Sequence, residues 1–285
     1  MTATPASIDR HAPFDRVVLL AVPAVAYLVL IYALPVVWLL ARSVLGPKGF
    51  TFAPLADFFA DPFNWRVIGN TLKIASLVTL VCLVIGYPTA FALAWARGWA
   101  QIVLLAAIIL PLSVGVVVKA FAWQIVLRRD GILASGLMQL GLTSEPLRLL
   151  FTESGLVLGA ANVFLPFMIL PIYSVVKLLD TRLNDAGATL GAGPFYRFRR
   201  ITLPLTLPGV VTGIAFVFSL SVSMFVIPSL LIGDRYQTLA TLIGRSFLMM
   251  RNEQLGSTTA TVLLVLAVSV VVSAAWIARR VGRSA

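Results

Sequence analysis

Apolar residues along this chain fall into six long blocks separated by shorter polar segments. The blocks cover about 17–41, 68–96, 102–127, 154–176, 207–232 and 257–277. A helix crossing the hydrocarbon layer needs about 20 mostly apolar residues, because the layer is about 30 Å thick and a helix rises about 1.5 Å per residue. Every block meets that length, so the pattern predicts an all-α membrane protein built as a six-helix bundle. Pro23 and Pro35 sit inside the first block, which membrane helices tolerate. Between the blocks, Gly46-Pro47-Lys48-Gly49 and Asp61-Pro62 mark an exposed loop with a short amphipathic piece, and Arg97-Gly98 marks a tight turn. Arg128 to Gly131 stops the third block, and Gly136, Gly141 and Pro146 break the loop after it. A third loop spans 233–256. The domain reading is a polar tail at 1–16, one membrane body at 17–278 and a short basic tail at 279–285. Gly155-x-x-x-Gly159 and Gly209-x-x-x-Gly213 are small-residue spacings that permit close helix approach.

Composition rules out the soluble alternatives. Hydrophobic residues make up 60% and charged residues 12% of the chain, against about 25% charged in an ordinary soluble domain. Mean hydropathy is +0.98. The single cysteine, Cys82, excludes an intrachain disulfide, and the single histidine, His11, lies in the polar tail. The first block is too long for the apolar core of a signal peptide. The net charge of +11 would point to nucleic acid in a soluble protein. Here the basic residues flank apolar spans, where orientation and anionic lipid headgroups account for them without nucleic acid. Six spans put both termini on one side. With the termini cytoplasmic, the inside segments carry eleven Lys and Arg residues and the longer outside loops nine. That density, with Arg279, Arg280 and Arg283 at the end, favours cytoplasmic termini and makes 177–206 a cytoplasmic loop.

That loop carries the most information. It contains Asn184-Asp185-Ala186-Gly187-Ala188-Thr189-Leu190-Gly191, then Pro194-Phe195-Tyr196-Arg197-Phe198-Arg199-Arg200-Ile201-Thr202-Leu203-Pro204-Leu205. Gly191 is placed to stop a short helix over 183–190 with a positive φ, and Pro194 to start another in its first turn. Two short helices with a sharp corner make a knob for a groove in another protein, with Phe195 and Phe198 as anchors and Arg197, Arg199 and Arg200 for acidic groups. The stretch resembles the EAA loop of binding-protein-dependent ABC import permeases, whose E-A-A-x-x-x-G core precedes a basic-aromatic segment and I-x-x-P-L. Asp185 stands at the Glu position, Ala186 and Gly187 at the two Ala positions, and Gly191 at the Gly. Ile201, Pro204 and Leu205 follow in register. Asp for Glu keeps the charge. Gly187 for Ala is expected to loosen the first helix, at about 1 kcal/mol.

Gly69-Asn70-Thr71-Leu72-Lys73, Ile85-Gly86-Tyr87-Pro88, Ala120-Phe121-Ala122-Trp123 and Leu165-Pro166-Phe167-Met168 look like the spermidine/putrescine branch of that family. The resemblance covers most of 17–278. It implies a six-span permease of the type I importer class, whose loop, through Asp185, Ala186, Gly187, Gly191, Phe195, Phe198, Arg200 and Pro204, docks on a separate ATPase. It also implies a second permease subunit (a copy of this chain or a relative), an external solute-binding protein, and a small solute such as a polyamine. The location implied is the bacterial inner membrane.

The chain has no G-x-x-x-x-G-K-[ST] phosphate cradle, nucleophile–base pair or metal-ligand cluster. A transport subunit is therefore expected, with ATP and magnesium used by the partner. No Asp or Glu falls inside the six blocks, which points to a low-affinity passage. Lys119 is placed either to face a wet cavity or partner subunit, because a charge inside the membrane is expensive and often functional, or to snorkel to the outer interface about two helical turns away. Thr212, Ser219 and Ser223 fall near one face of the fifth block, beside Phe216, as candidate lining. Hydroxyls at such positions also bond their own helix carbonyls. Aromatic faces at Phe121, Trp123 and Phe225 are candidates for cation–π contacts. An ion-gradient-driven secondary transporter is the competing class, and its mark would be ionisable or broken-helix ion sites within the spans. A membrane scaffold without transport would require no such loop.

Overall fold

A computed structural model describes residues 14–46, 49–141, 143, 145 and 147–284. Most of the expected N-terminal tail, including His11, lies outside these residues. The long helices are α1 (Phe14–Val44), α3 (Pro62–Trp95), α7 (Glu153–Lys177), α10 (Leu203–Ser223) and α13 (Glu253–Ser284). Among the described residues, five helices are long and apolar enough to cross a membrane, or six spans result if α4 (Trp99–Ser113) and α5 (Val116–Val126) count as one. Shorter pieces join them. A two-residue hairpin pairs Leu45 with Phe50, and α2 (Ala53–Ala60) follows it. The others are α6 (Ile132–Gln139), α8 (Thr181–Thr189), α9 (Pro194–Arg197), α11 (Val226–Leu231) and α12 (Leu239–Leu248).

Three of the six blocks differ from the helices that form. The third block is not one rod: α4 and α5 meet at 105°. Pro111 removes a backbone donor near the end of α4, Val114 is extended, and Gly115 precedes the new helix. The fifth block breaks at Met224, whose φ and ψ are extended, so 207–232 becomes the end of α10 followed by α11. Helix α3 starts at Pro62 rather than near 68, because the Asp61 side chain accepts from Phe63 N and Pro62 fills the first turn. At the other end of the chain, the expected basic tail at 279–285 continues α13 in helical form to Ser284.

Helix α7 is the centre of the bundle and packs against α3 and α10. Two-thirds (67%) of its apolar window is buried, against 0% for that of α1. Small residues set the α7–α10 approach. A Cβ on Gly209 would meet the Pro171 carbonyl oxygen at 2.9 Å, and one on Gly213 the Met168 sulfur at 2.8 Å. Helix α1 instead rests on α13 and α2 with most of its surface uncovered. Its Arg42 pairs with Glu253 at the start of α13.

Polar side chains pin the end of the bundle opposite α8 and α9. Asn70 Nδ2 donates to the Gln237 carbonyl at 3.1 Å, and Thr71 Oγ1 accepts from Leu239 N at 2.9 Å. These bonds fix the entry to α12 against α3. Lys73, which lies inside the second sequence block, pairs with Glu153 at the first turn of α7.

Candidate functional site

The loop between α7 and α10 folds as two short helices with a corner. Asp180 caps α8 by accepting from Arg182 N at 2.9 Å. Helix α8 ends in a Schellman arrangement: Ala192 N donates to Gly187 O and Gly191 N to Ala188 O, both at 3.0 Å. This closure requires the left-handed conformation at Gly191, whose φ is +80°. Pro194 then opens α9 at the first helical turn.

Helix α9 does not end before α10. It runs through a π-helical turn, Phe198–Thr202, directly into α10. Within that turn Leu203 N donates to Phe198 O, five residues back. Pro204 has no N–H to continue the ordinary ladder, which favours the wider turn at this point. One helical column therefore joins the loop to the centre of the bundle.

Gly187 is the residue where the sequence pointed to looseness. Helix α8 continues through it, and the position is a contact. A Cβ there would lie 3.1 Å from Ile201 Cδ1 and 3.3 Å from the Arg197 stem. Arg197 also crosses to α8 through Nη1, which donates to Asn184 O at 3.3 Å. Asn184 Nδ2 reaches Thr202 Oγ1 at 3.5 Å. The two short helices are thus braced as a unit.

The eight loop residues divide between two faces. Phe198 turns toward the bundle, edge-on to Tyr87 with ring centroids 6.1 Å apart, and Tyr87 Oη lies 3.0 Å from Thr206 Oγ1. It anchors the loop to α3, whereas sequence alone had given it the same outward role as Phe195. Phe195 is 74% exposed and Leu190 87%. Phe195, Tyr196, Arg199, Arg200 and Pro204 line one external groove, and the Arg200 guanidinium sits 6.0 Å from the Tyr196 ring centre. Asp185 and Ala186 are exposed on α8, and Asp185 forms no ion pair among the described residues. Solvent-facing apolar groups ringed by charge are the expected features of a protein-binding knob.

The four candidate path residues are not brought together. Lys119 is half-buried on α5, which packs against α11 and α7. Thr212 and Ser219, with Phe216, line a 220 Å³ cavity between α10 and α13, and Lys119 is not part of it. Thr212 Oγ1 donates to Pro208 O at 2.7 Å, and Ser223 Oγ to Ser219 O at 3.0 Å. Those two hydroxyls satisfy their own helix. Ser219 Oγ is buried without a hydrogen-bond partner. The cross-links from Asn70 and Thr71 to the 237–239 turn were not singled out from sequence. Their signal was present, since a Gly-Asn-Thr triplet inside an apolar block places two hydrogen-bonding side chains where water is scarce.

Comparison with known proteins agrees with this geometry. Residues 83–283 match the family described as the binding-protein-dependent transport system inner membrane component. The spermidine/putrescine transport system permease protein PotB of Haemophilus influenzae is 34% identical over 247 residues, covering 85% of this chain and 86% of that protein. PotB of Escherichia coli is 31% identical over 250 residues, covering 86% and 91%. Among solved structures, a bacterial alginate ABC transporter in complex with a periplasmic protein bound to alginate pentasaccharide superposes with a TM-score of 0.76 at 16% identity, covering 93% of this chain and 94% of that one. The MetNI methionine ABC transporter superposes with a TM-score of 0.58 at 18% identity, covering 78% and 98%. These matches displace the competing class of a secondary transporter. The chain belongs to the inner-membrane component family of binding-protein-dependent transport systems, as a membrane-spanning permease subunit of an ABC importer.

Proposed function

We propose that this permease carries a polyamine, or a closely related small cation, and that ATP hydrolysis in a separate subunit reaches it through the 181–202 knob. Similarity over 85% and 86% of this chain to two permeases named for spermidine and putrescine supports the solute. The observation that carries the coupling reading is the continuous column from α9 through the π turn into α10, capped by an exposed knob. A push on Phe195 and Leu190 is transmitted along a helix rather than dissipated in a loop. Asp185, Ala186, Gly187 and Gly191 shape the knob's first helix, and Phe195, Arg200 and Pro204 its outer groove. Phe198 ties it to α3. ATP and magnesium belong to the partner ATPase.

The remaining machinery follows from the same reading. Two ATPase subunits sit on the cytoplasmic face, which also holds both termini of this chain. A second permease, identical or related, covers the exposed faces of this bundle and closes the passage. An external binding protein delivers the solute. Thr212, Ser219 and Ser223 on α10 contribute to the lining, and Lys119 lies nearer the outer end. The test is uptake of labelled putrescine in cells that lack other polyamine importers and express the complete system. ATP-dependent uptake that vanishes when the permease is removed is expected. Absence of such uptake, with all subunits present in the membrane, would overturn the polyamine assignment.

A further inference from the structure

A second cavity lies at the end of the bundle opposite the knob, where α10 gives way to α11 and α12. It is a 280 Å³ cavity whose polar lining comes from Ser229, Asp234, Gln237, Thr241 and Arg245, with Phe225 as its aromatic wall. Gln237 is 8% exposed, and its Oε1 has no hydrogen-bond partner. A buried acceptor left in that state costs about 1–3 kcal/mol, so it marks a place where a donor is missing. The position is held firmly: the Gln237 carbonyl accepts from Asn70, and the capping pair Thr238 and Thr241 starts α12 just beyond it.

The other groups also present acceptors. The Ser229 hydroxyl donates to Phe225 O at 2.7 Å, which leaves its oxygen lone pairs for a guest, whereas Thr241 Oγ1 already accepts from Thr238 N at 2.8 Å in the cap of α12. Asp234 forms no ion pair among the described residues. The Phe225 ring lies against α12 at Gly244, where any Cβ would collide with it. The Phe225 side chain is thereby held at the cavity wall. Arg245, in the same lining, is exposed in the last turn of α12 and pairs with no carboxylate among the described residues.

From this arrangement we propose that the cavity binds a primary ammonium group of the transported solute, at Asp234 and Gln237 and against the Phe225 face. An ammonium has three donors and no acceptor, which matches a lining of lone pairs, one carboxylate and one aromatic face. Rotation of the Gln237 amide turns its oxygen to the guest. Arg245 opposes the cation and keeps its residence short, as a passage requires. The proposal rests on the polyamine reading. It adds a binding step within this chain, at the end distal to the ATPase.

The experiment is equilibrium binding of labelled putrescine to the purified permease–ATPase complex in lipid nanodiscs, without the external binding protein. The unaltered complex should bind saturably. Asp234→Asn and Gln237→Leu should each raise Kd by at least about tenfold. Gln237→Glu should hold or lower Kd, and Arg245→Gln should lower it. If Gln237→Leu fails to reach the membrane, the exposed Asp234→Asn carries the test. Saturable binding that neither variant weakens, or no saturable binding to the unaltered complex, would overturn the site. So would weaker binding in Arg245→Gln, because the guest would then be anionic at that end. Uptake by intact cells tests the polyamine reading separately, so a wrong site and a wrong solute give different results.

Discussion

At the scale of single residues, Gly191 and Gly187 perform different work. A left-handed conformation costs a residue with a Cβ about 1–2 kcal/mol, and more for a β-branched one. Nothing surrounds a Cβ at Gly191, so its φ of +80° is the only obstacle there. Gly191→Val is expected to abolish uptake while the protein still inserts, and Gly191→Asn, which tolerates that conformation, should keep a large share. Uptake per inserted molecule is the measurement. Gly187 has ordinary helical geometry and crowded neighbours. Those neighbours are the tip of Ile201 and the stem of Arg197, side-chain atoms that can yield by a few tenths of an ångström. Gly187→Ala should therefore retain uptake within about twofold, because the gain in helix propensity offsets the crowding. The sequence revealed Gly191 through its spacing from Pro194, and its role as a corner was legible. It could not reveal that Gly187 is a contact, because the partner atoms are 10 and 14 positions away.

At the scale of elements, the apolar blocks located the helices but not their breaks. Hydropathy is insensitive to direction, so 102–127 reads as one span whether straight or bent by 105°. Pro111 and Gly115 were the available signals. At Met224 the available signal was Pro228, which has no N–H to bond the Met224 carbonyl four residues back and sits in the first turn of α11, the helix that docks against α5. The Asp61-Pro62 start of α3 was also visible as a cap followed by a first-turn proline, yet the same pair reads equally as a loop breaker. The close α7–α10 crossing was anticipated by the Gly209 and Gly213 spacing. It leads to a stability prediction. Gly213→Val should destabilise the detergent-solubilised protein by about 1–3 kcal/mol, through overpacking against Met168. Combining it with Met168→Ala should recover part of that loss, which thermal melting of the single and double variants will show.

At the scale of the whole molecule, the bundle has two unlike ends. One carries the braced knob, with exposed Leu190 and Phe195 and the π turn leading into α10. The other carries the pinned 237–239 turn and the Gln237 cavity. Helix α10 links them. The loop motif made the first end readable from sequence, since its spacing encodes a local fold. The second end depends on residues from α3, α11 and α12 that meet only in three dimensions. The exposed face of α1, with 0% of its apolar window buried, is what a lipid-facing or subunit-facing helix leaves in an isolated chain.

The central claim is that the knob is the ATPase's point of attachment, and the exposed carboxylate of Asp185 offers the most direct test. Asp185→Lys reverses a charge on the proposed docking face without touching the Gly191 corner or the Arg197 brace. A role limited to membrane orientation predicts no harm, because an added cytoplasmic lysine favours the same topology. Recovery of the ATPase with tagged permease should be measured at matched membrane levels, with Arg283→Ala as the control on the same face. The account predicts a clear fall in ATPase recovery for Asp185→Lys and none for Arg283→Ala. Undiminished recovery with Asp185→Lys would contradict it.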